Sequence, residues 1–150
     1  MVVKTFRGLL ADGGQDQIHL QTIKGKVGYR IVKFALFPNR PGGTSHVESV
    51  GQIFKVQQST VPTANSIVDF SSSDLLAAAY LTDDVNNTSG PLQIVIFDQE
   101  IFNQDIYVTH TDEAGTAKIN YYIELEVIPL TDQGAEYTTL RDMRTQLKIS

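Results

Sequence analysis

Hydrophobic and polar residues alternate along most of this chain. Between residues 119 and 127, Ile119, Tyr121, Ile123, Leu125 and Val127 fall on one face of an extended backbone, and Asn120, Tyr122, Glu124 and Glu126 on the other. Successive strand side chains point to opposite faces, so this segment reads as a strand with one buried and one wet face. The same period of two predicts strands at about Val3–Leu10, Gln17–Ile23, Val27–Phe37, Val47–Gln57, Asn65–Phe70, Leu92–Asp98, Gln104–His110 and Ala117–Leu130. Turn-forming clusters separate several of them, among them Asp12-Gly13-Gly14, Lys24-Gly25-Lys26, Pro38-Asn39-Arg40-Pro41-Gly42-Gly43 and Asp112-Glu113-Ala114-Gly115. Eight short strands of this kind predict an all-β, antiparallel β-sandwich, jelly-roll-like in arrangement. The run Ile31–Phe37 is apolar at almost every position and therefore predicts a strand covered on both faces.

Two segments depart from the β pattern. Ser71-Ser72-Ser73-Asp74 offers helix-capping oxygens ahead of Leu75-Leu76-Ala77-Ala78-Ala79-Tyr80, which predicts a short inserted helix. Leu140, Met143 and Leu147 recur at helical spacing with Arg141, Arg144 and Lys148 on the other side, which predicts a C-terminal helix over Glu136–Lys148. A helix so short is marginal alone in water, so its apolar stripe is expected to dock on its own body or on a neighbour.

The chain has 150 residues, the size of one ordinary domain, and residues 1–150 are read as a single unit. Apolar residues make up 41% and charged residues 19%, which argues against intrinsic disorder. The absence of cysteine excludes disulfide scaffolds, thiolate metal sites and thiol nucleophiles. The first residues lack the apolar core of a signal peptide, and no apolar run approaches the ~18 residues of a membrane span, so neither export nor membrane insertion is expected. Charge changes the picture more. Residues 1–55 carry eight basic groups against three acids, residues 56–150 four against fourteen, and no Lys or Arg occurs from Val56 to Ala117. The basic groups are spread along strands rather than gathered in a stripe, so sequence-specific nucleic-acid binding is not expected. Either two solvated faces differ in charge, or the positive side of one copy meets the negative side of the next, head to tail.

Candidate chemistry is sparse. His19, His46 and His110 lack the close spacing of a preformed metal pair and read as surface or turn histidines. Asp112-Glu113 beside His110, and Asp83-Asp84 with Asn86, have the oxygens for a hard cation but not the alternating spacing of a calcium loop. Glu124 and Glu126 share one strand face, about 7 Å apart, and read as part of that wet face. Ser71–Ser73 are explained by capping, no Gly-x-Ser-x-Gly elbow is present, and the Gly-Gly pairs lack the Lys-Ser/Thr of a phosphate loop. No catalytic residue, cofactor or metal is assigned from the sequence.

Asp98-Gln99-Glu100-Ile101-Phe102-Asn103-Gln104-Asp105-Ile106-Tyr107-Val108-Thr109-His110 and Asn120-Tyr121-Tyr122-Ile123-Glu124-Leu125-Glu126 resemble small virion structural proteins of marine bacteriophages, and so do Val68-Asp69-Phe70, Asp74–Tyr80, Tyr29-Arg30-Ile31 and Phe37-Pro38-Asn39. The resemblance implies a capsid or capsid-decorating subunit, made in the host cytoplasm without a signal peptide and incorporated into the virion. The small size suits a decoration or minor subunit. The implied partners are further copies of the chain, a trimer first, and a major capsid protein. The assembly contacts expected are Pro38, Asn39, Arg40 and Pro41 in the loop after the third strand, and Leu140, Arg141, Met143, Arg144 and Leu147 on the C-terminal helix. The alternative is a receptor- or glycan-binding head of a fibre or spike, using polar groups near Asp83–Ser89. A cupin-like metal enzyme built on the three histidines ranks third.

Overall fold

A computed structural model of the chain describes residues 2–20, 26–41, 46–59, 61, 67–83, 91–130 and 140–141. Eight strands appear in chain order: β1 (Val2–Leu10), β2 (Gln15–Ile18), β3 (Val27–Pro38), β4 (Val47–Phe54), β5 (Leu75–Asp83), β6 (Leu92–Phe97), β7 (Ile106–Asp112) and β8 (Ile119–Pro129). They form two antiparallel sheets, a three-stranded one in the order β1-β8-β3 and a five-stranded one in the order β2-β7-β4-β5-β6. This is the expected all-β, antiparallel architecture.

The core lies between the sheets because the central strands turn apolar rows inward. On β8, Ile119, Tyr121, Ile123 and Leu125 are buried, and β3 contributes Tyr29, Ile31, Phe34 and Leu36. Ile106 and Val108 on β7, Ile53 on β4, and Ala77, Ala79 and Leu81 on β5 face them from the other sheet. The sheets approach closely at Gly51 on β4, where a Cβ would lie 2.8 Å from Leu36 Cδ2 and 3.3 Å from Phe34 Cζ. At the turn between β1 and β2, Gly13 takes a φ of 77°, in the left-handed region that favours glycine, and its N–H donates to the His110 carbonyl at 2.9 Å.

The apolar run on β3 has a different origin from the one its sequence suggests. The β3–β8 register shifts between Ile31 and Lys33, so Val32 is the extra residue of a bulge. Inward positions are Tyr29 and Ile31 before the bulge and Phe34 and Leu36 after it. The string is nearly unbroken because the outward residues Val32, Ala35 and Phe37 are apolar as well, and the outer face is not covered along its length: Phe37 is 61% exposed.

The inserted helix expected over Ser71–Tyr80 is instead a turn followed by β5. Asp69 Oδ1 accepts from the Ser71 amide at 2.9 Å and from its hydroxyl at 2.6 Å, so these polar groups shape a turn rather than cap a helix. The Leu-Leu-Ala-Ala-Ala string has high helix propensity, yet it pairs with β4 on one side and β6 on the other. Ala77, Ala78 and Ala79 are all buried, so small side chains fit where both sheet faces are covered. The strand expected at Asn65–Phe70 is not formed at residues 67–70, the part of it that lies among the described residues. There the chain lies against the outer face of the five-stranded sheet, the Ile67 carbonyl accepting from Gln52 Nε2 at 3.2 Å. Of the C-terminal helix expected over Glu136–Lys148, only Leu140 and Arg141 lie among the described residues, and the backbone of both is helical; Met143, Arg144 and Leu147 lie outside them.

Gly51→Ala inserts a methyl group into this close inter-sheet contact. It is expected to lower unfolding free energy by about 1–3 kcal/mol through overpacking, read as a lower urea midpoint with an unchanged slope.

Candidate functional site

Three places in the fold gather polar side chains. The first is the end of the sandwich where β7 runs into β8. His110 points inward from β7 and is completely buried, as is Ser49 on β4. Its Nε2 lies 3.1 Å from Ser49 Oγ and its Nδ1 3.1 Å from the Ala11 carbonyl oxygen. The Ser–His spacing is that of a nucleophile and its base, but both residues are sealed from solvent and the second ring nitrogen meets a backbone carbonyl instead of a carboxylate. The pair is a buried polar clamp joining the β1–β2 turn, β4 and β7. Burial pushes the His110 imidazole below its ordinary value of 6.5, against the opposing pull of the Ala11 carbonyl, Asp112 and Asp12.

Asp112 shares this end of the molecule. Its Oδ1 accepts from the amides of Glu48 and Ala114 at 3.2 and 3.1 Å, and its Oδ2 from the amide of Ala117 at 2.9 Å. Its carboxylate therefore shapes the β7–β8 connection, and the Asp112 amide donates in turn to Asp12 Oδ1 at 2.9 Å. Beside it opens a cleft of about 600 Å³, whose wall includes Pro38, Asn39, Arg40, His46 and Lys118. Three of the residues expected at an assembly contact thus line one concave, cation-bearing surface. Pro41, the fourth of that loop, is exposed. His46 is held there by Nδ1 at 3.1 Å from the Asp83 carbonyl oxygen.

The third place is a cleft of about 650 Å³ lined by Lys55, Phe70, Leu75, Ile96, Asp98, Glu100 and Arg141 among others. Lys55 is only 4% exposed, and its Nζ donates to Glu100 Oε1 at 3.0 Å. Arg141 Nε lies 3.3 Å from the same oxygen, and its guanidinium also donates to the Ile101 carbonyl. Arg141, expected at an intermolecular contact, is therefore tied to its own body at this point, while Leu140 beside it is 61% exposed. Sequence reasoning passed over Lys55 because nothing in Phe54-Lys55-Val56 distinguishes a buried lysine from a surface one; its carboxylate partner is 45 residues away.

The histidines do not converge. His19 is exposed, with Nδ1 3.3 Å from Asp105 Oδ2, His46 sits at the cleft, and His110 is in the core. Among the described residues no group of three His, Asp or Glu side chains is arranged to hold a metal ion, and no helix is long and apolar enough to cross a membrane. Glu124 and Glu126 stand on the outer face of the three-stranded sheet with partners of their own: Tyr122 Oη donates to Glu124 at 3.2 Å, and Arg30 pairs with Glu126 at 2.6 Å. No protein-family model and no curated protein matches this sequence.

Two predictions follow from these networks. The lowered folded-state value of His110 means that the unfolded chain binds more protons near pH 6, so its contribution to stability is full above about pH 6.5 and is lost as pH falls below that. Between pH 7.5 and 5 the melting temperature of the wild type is expected to fall, with a smaller fall in His110→Gln; equal slopes would remove His110 as the cause. Glu100→Gln takes the shared carboxylate from both Lys55 and Arg141 and is expected to lower the unfolding free energy. Lys55→Met leaves Glu100 with Arg141 and should cost less, as compared by chemical denaturation.

Proposed function

We propose that this chain is a structural subunit of a bacteriophage virion, a decoration or minor subunit of the capsid that works as a homo-oligomer, a trimer first, seated on a major capsid protein. The observation that carries the reading is the strand order. β1 lies beside β8, β2 beside β7 and β4 beside β5, the nested pairing produced when a long hairpin winds into a jelly roll, an architecture used repeatedly in capsids.

The fourth nested pair, β3 with β6, supports the same reading in a looser form. β6 takes its backbone partners from β5. Gln93 on β6 nonetheless accepts from the Leu36 amide at 2.8 Å and donates to the Leu36 carbonyl at 3.2 Å, imitating a backbone bridge with its side chain. Farther along, Phe102 and Tyr29 exchange amide–carbonyl bonds of 2.7 and 2.9 Å. Residues 93–102 therefore run along the β3 edge, antiparallel to it, as the last strand of a second four-stranded sheet would. The jelly roll is read here as relaxed at this one strand.

A subunit that works by contact also needs surface to give. Leu9, Phe37, Phe70 and Leu140 are large apolar side chains held open to solvent, and such side chains are the material of interfaces when they lie together. The test is solution mass by light scattering after size separation, at two protein concentrations and two salt levels. A trimer or larger closed ring, weakened by salt, is the expected result. A monomer in every condition would count against self-assembly and overturn this reading.

A further inference from the structure

We infer that neighbouring copies join through their sheet edges, the β6 edge of one copy accepting the β1 edge of the next. The inference rests on the homo-oligomer reading above and names its contact.

A sheet edge exposes unpaired amide and carbonyl groups, and natural proteins guard such edges with charges, proline, bulges, shortness or a covering segment. Three of the four edges here fit that rule. β2 is only four residues long. The free side of β3 is occupied by Gln93 at Leu36 and by Phe102 at Tyr29. β1 is nine residues long, but Lys4 and Arg7 stand on it, both exposed. The exception is β6. Its sequence, Leu92-Gln93-Ile94-Val95-Ile96-Phe97, contains no charge, proline or glycine, and such a six-residue stretch is among the most pairing-prone a chain can carry. Leu92, Ile94 and Ile96 are 53%, 51% and 53% exposed, and among the described residues β6 has no strand on its far side. An edge left so bare in a folded protein is explained if assembly covers it.

Charge selects the occupant. β6 sits in the stretch from Val56 to Ala117 that holds no lysine or arginine, with Asp98 directly after it. A second β6 strand carries no cation of its own to set against Asp98. Two β1 strands placed side by side would set the Lys4 and Arg7 of both copies against each other, and like charges facing across a ladder are destabilising. β1 against β6 brings Lys4 to the end of the edge that carries Asp98 and adds Val3 and Leu9 to the apolar row. An antiparallel register that continues the outer faces sets Leu9 opposite Leu92, Thr5 opposite Ile96, and Lys4 opposite Phe97 beside Asp98. Two different patches meet in this contact, so repetition leads head to tail into a ring or a filament, and a closed ring is what the oligomer reading requires.

The chain has no cysteine, so introduced cysteines report contacts without interference. The double variant Leu9→Cys/Leu92→Cys is expected to form a ladder of covalent oligomers under mild oxidation, while each single variant stays monomeric on a non-reducing gel. Cross-linking of Leu92→Cys alone would mean that β6 meets a second β6 and would overturn the inference. Ile94→Lys, at an exposed position, is expected to keep the circular-dichroism signature and raise the concentration needed for assembly by about tenfold or more; Lys4→Glu with Arg7→Glu should act in the same direction. Full assembly of the folded Ile94→Lys variant would exclude this edge while leaving a homo-oligomer standing. A wild type that is monomeric at every concentration would overturn the oligomer reading itself.

Discussion

The rest of this molecule depends on two apolar rows buried face to face. Ile119, Tyr121, Ile123 and Leu125 occupy the middle strand of the three-stranded sheet, and Ile106, Val108 and Ile53 occupy the centre of the five-stranded one. Burial of apolar area is the dominant favourable term in folding, and each row can be buried only if its strand keeps phase along its whole length. Two local features follow from that demand. The bulge at Val32 restores the phase of β3 against β8, and the lack of a side chain at Gly51 lets Leu36 and Phe34 reach β4. Polar groups that fall on the inward parity are placed at the end of the sandwich, where His110 and Ser49 satisfy each other and the Ala11 carbonyl closes the second ring nitrogen.

That constraint also explains how much of the fold was legible in the sequence. Strands with one wet face, β8 above all, announce themselves, because alternation is written directly in Asn120, Tyr122, Glu124 and Glu126 against their apolar neighbours. Seven of the eight expected strands overlap observed ones, the one expected at Gln17–Ile23 only at residues 17–18. The eighth observed strand, β5, was expected as a helix, because local and tertiary preferences conflict there. Leu75–Tyr80 carries helix-forming residues behind good capping groups, and only the slot between β4 and β6 decides that it is a strand. No window of the sequence contains that slot. The preceding segment looked like a strand because Ile67, Val68 and Phe70 are apolar, yet all three are exposed.

Side-chain networks were less legible, for a related reason. The partners of Lys55, His110 and Asp112 lie tens of residues away, so their burial is a property of the sandwich and not of any motif. The expected contact residues divide in a physically informative way. Pro38, Asn39 and Arg40 line a cleft, whereas Arg141 folds back onto Glu100 and Ile101. The carboxylate that neutralises the buried Lys55 also receives Arg141, so one buried charge couples the β4–β5 connection, the segment after β6 and residue 141.

The way β6 meets β3 links the fold to the edge left bare. Had β6 paired with β3 along its backbone, both strands would have lost a free side to each other. Instead β6 stays with β5, and β3 is covered by one glutamine side chain and one bridge at Phe102. A side chain that bonds both backbone groups of Leu36 guards that edge, while among the described residues the far side of β6 carries no strand. The same departure that makes the five-stranded sheet longer than the three-stranded one therefore creates the unguarded edge. The sequence of β6 is consistent with that use: outward Leu92, Ile94 and Ile96 remain apolar at positions where a strand meant to face water would carry charge.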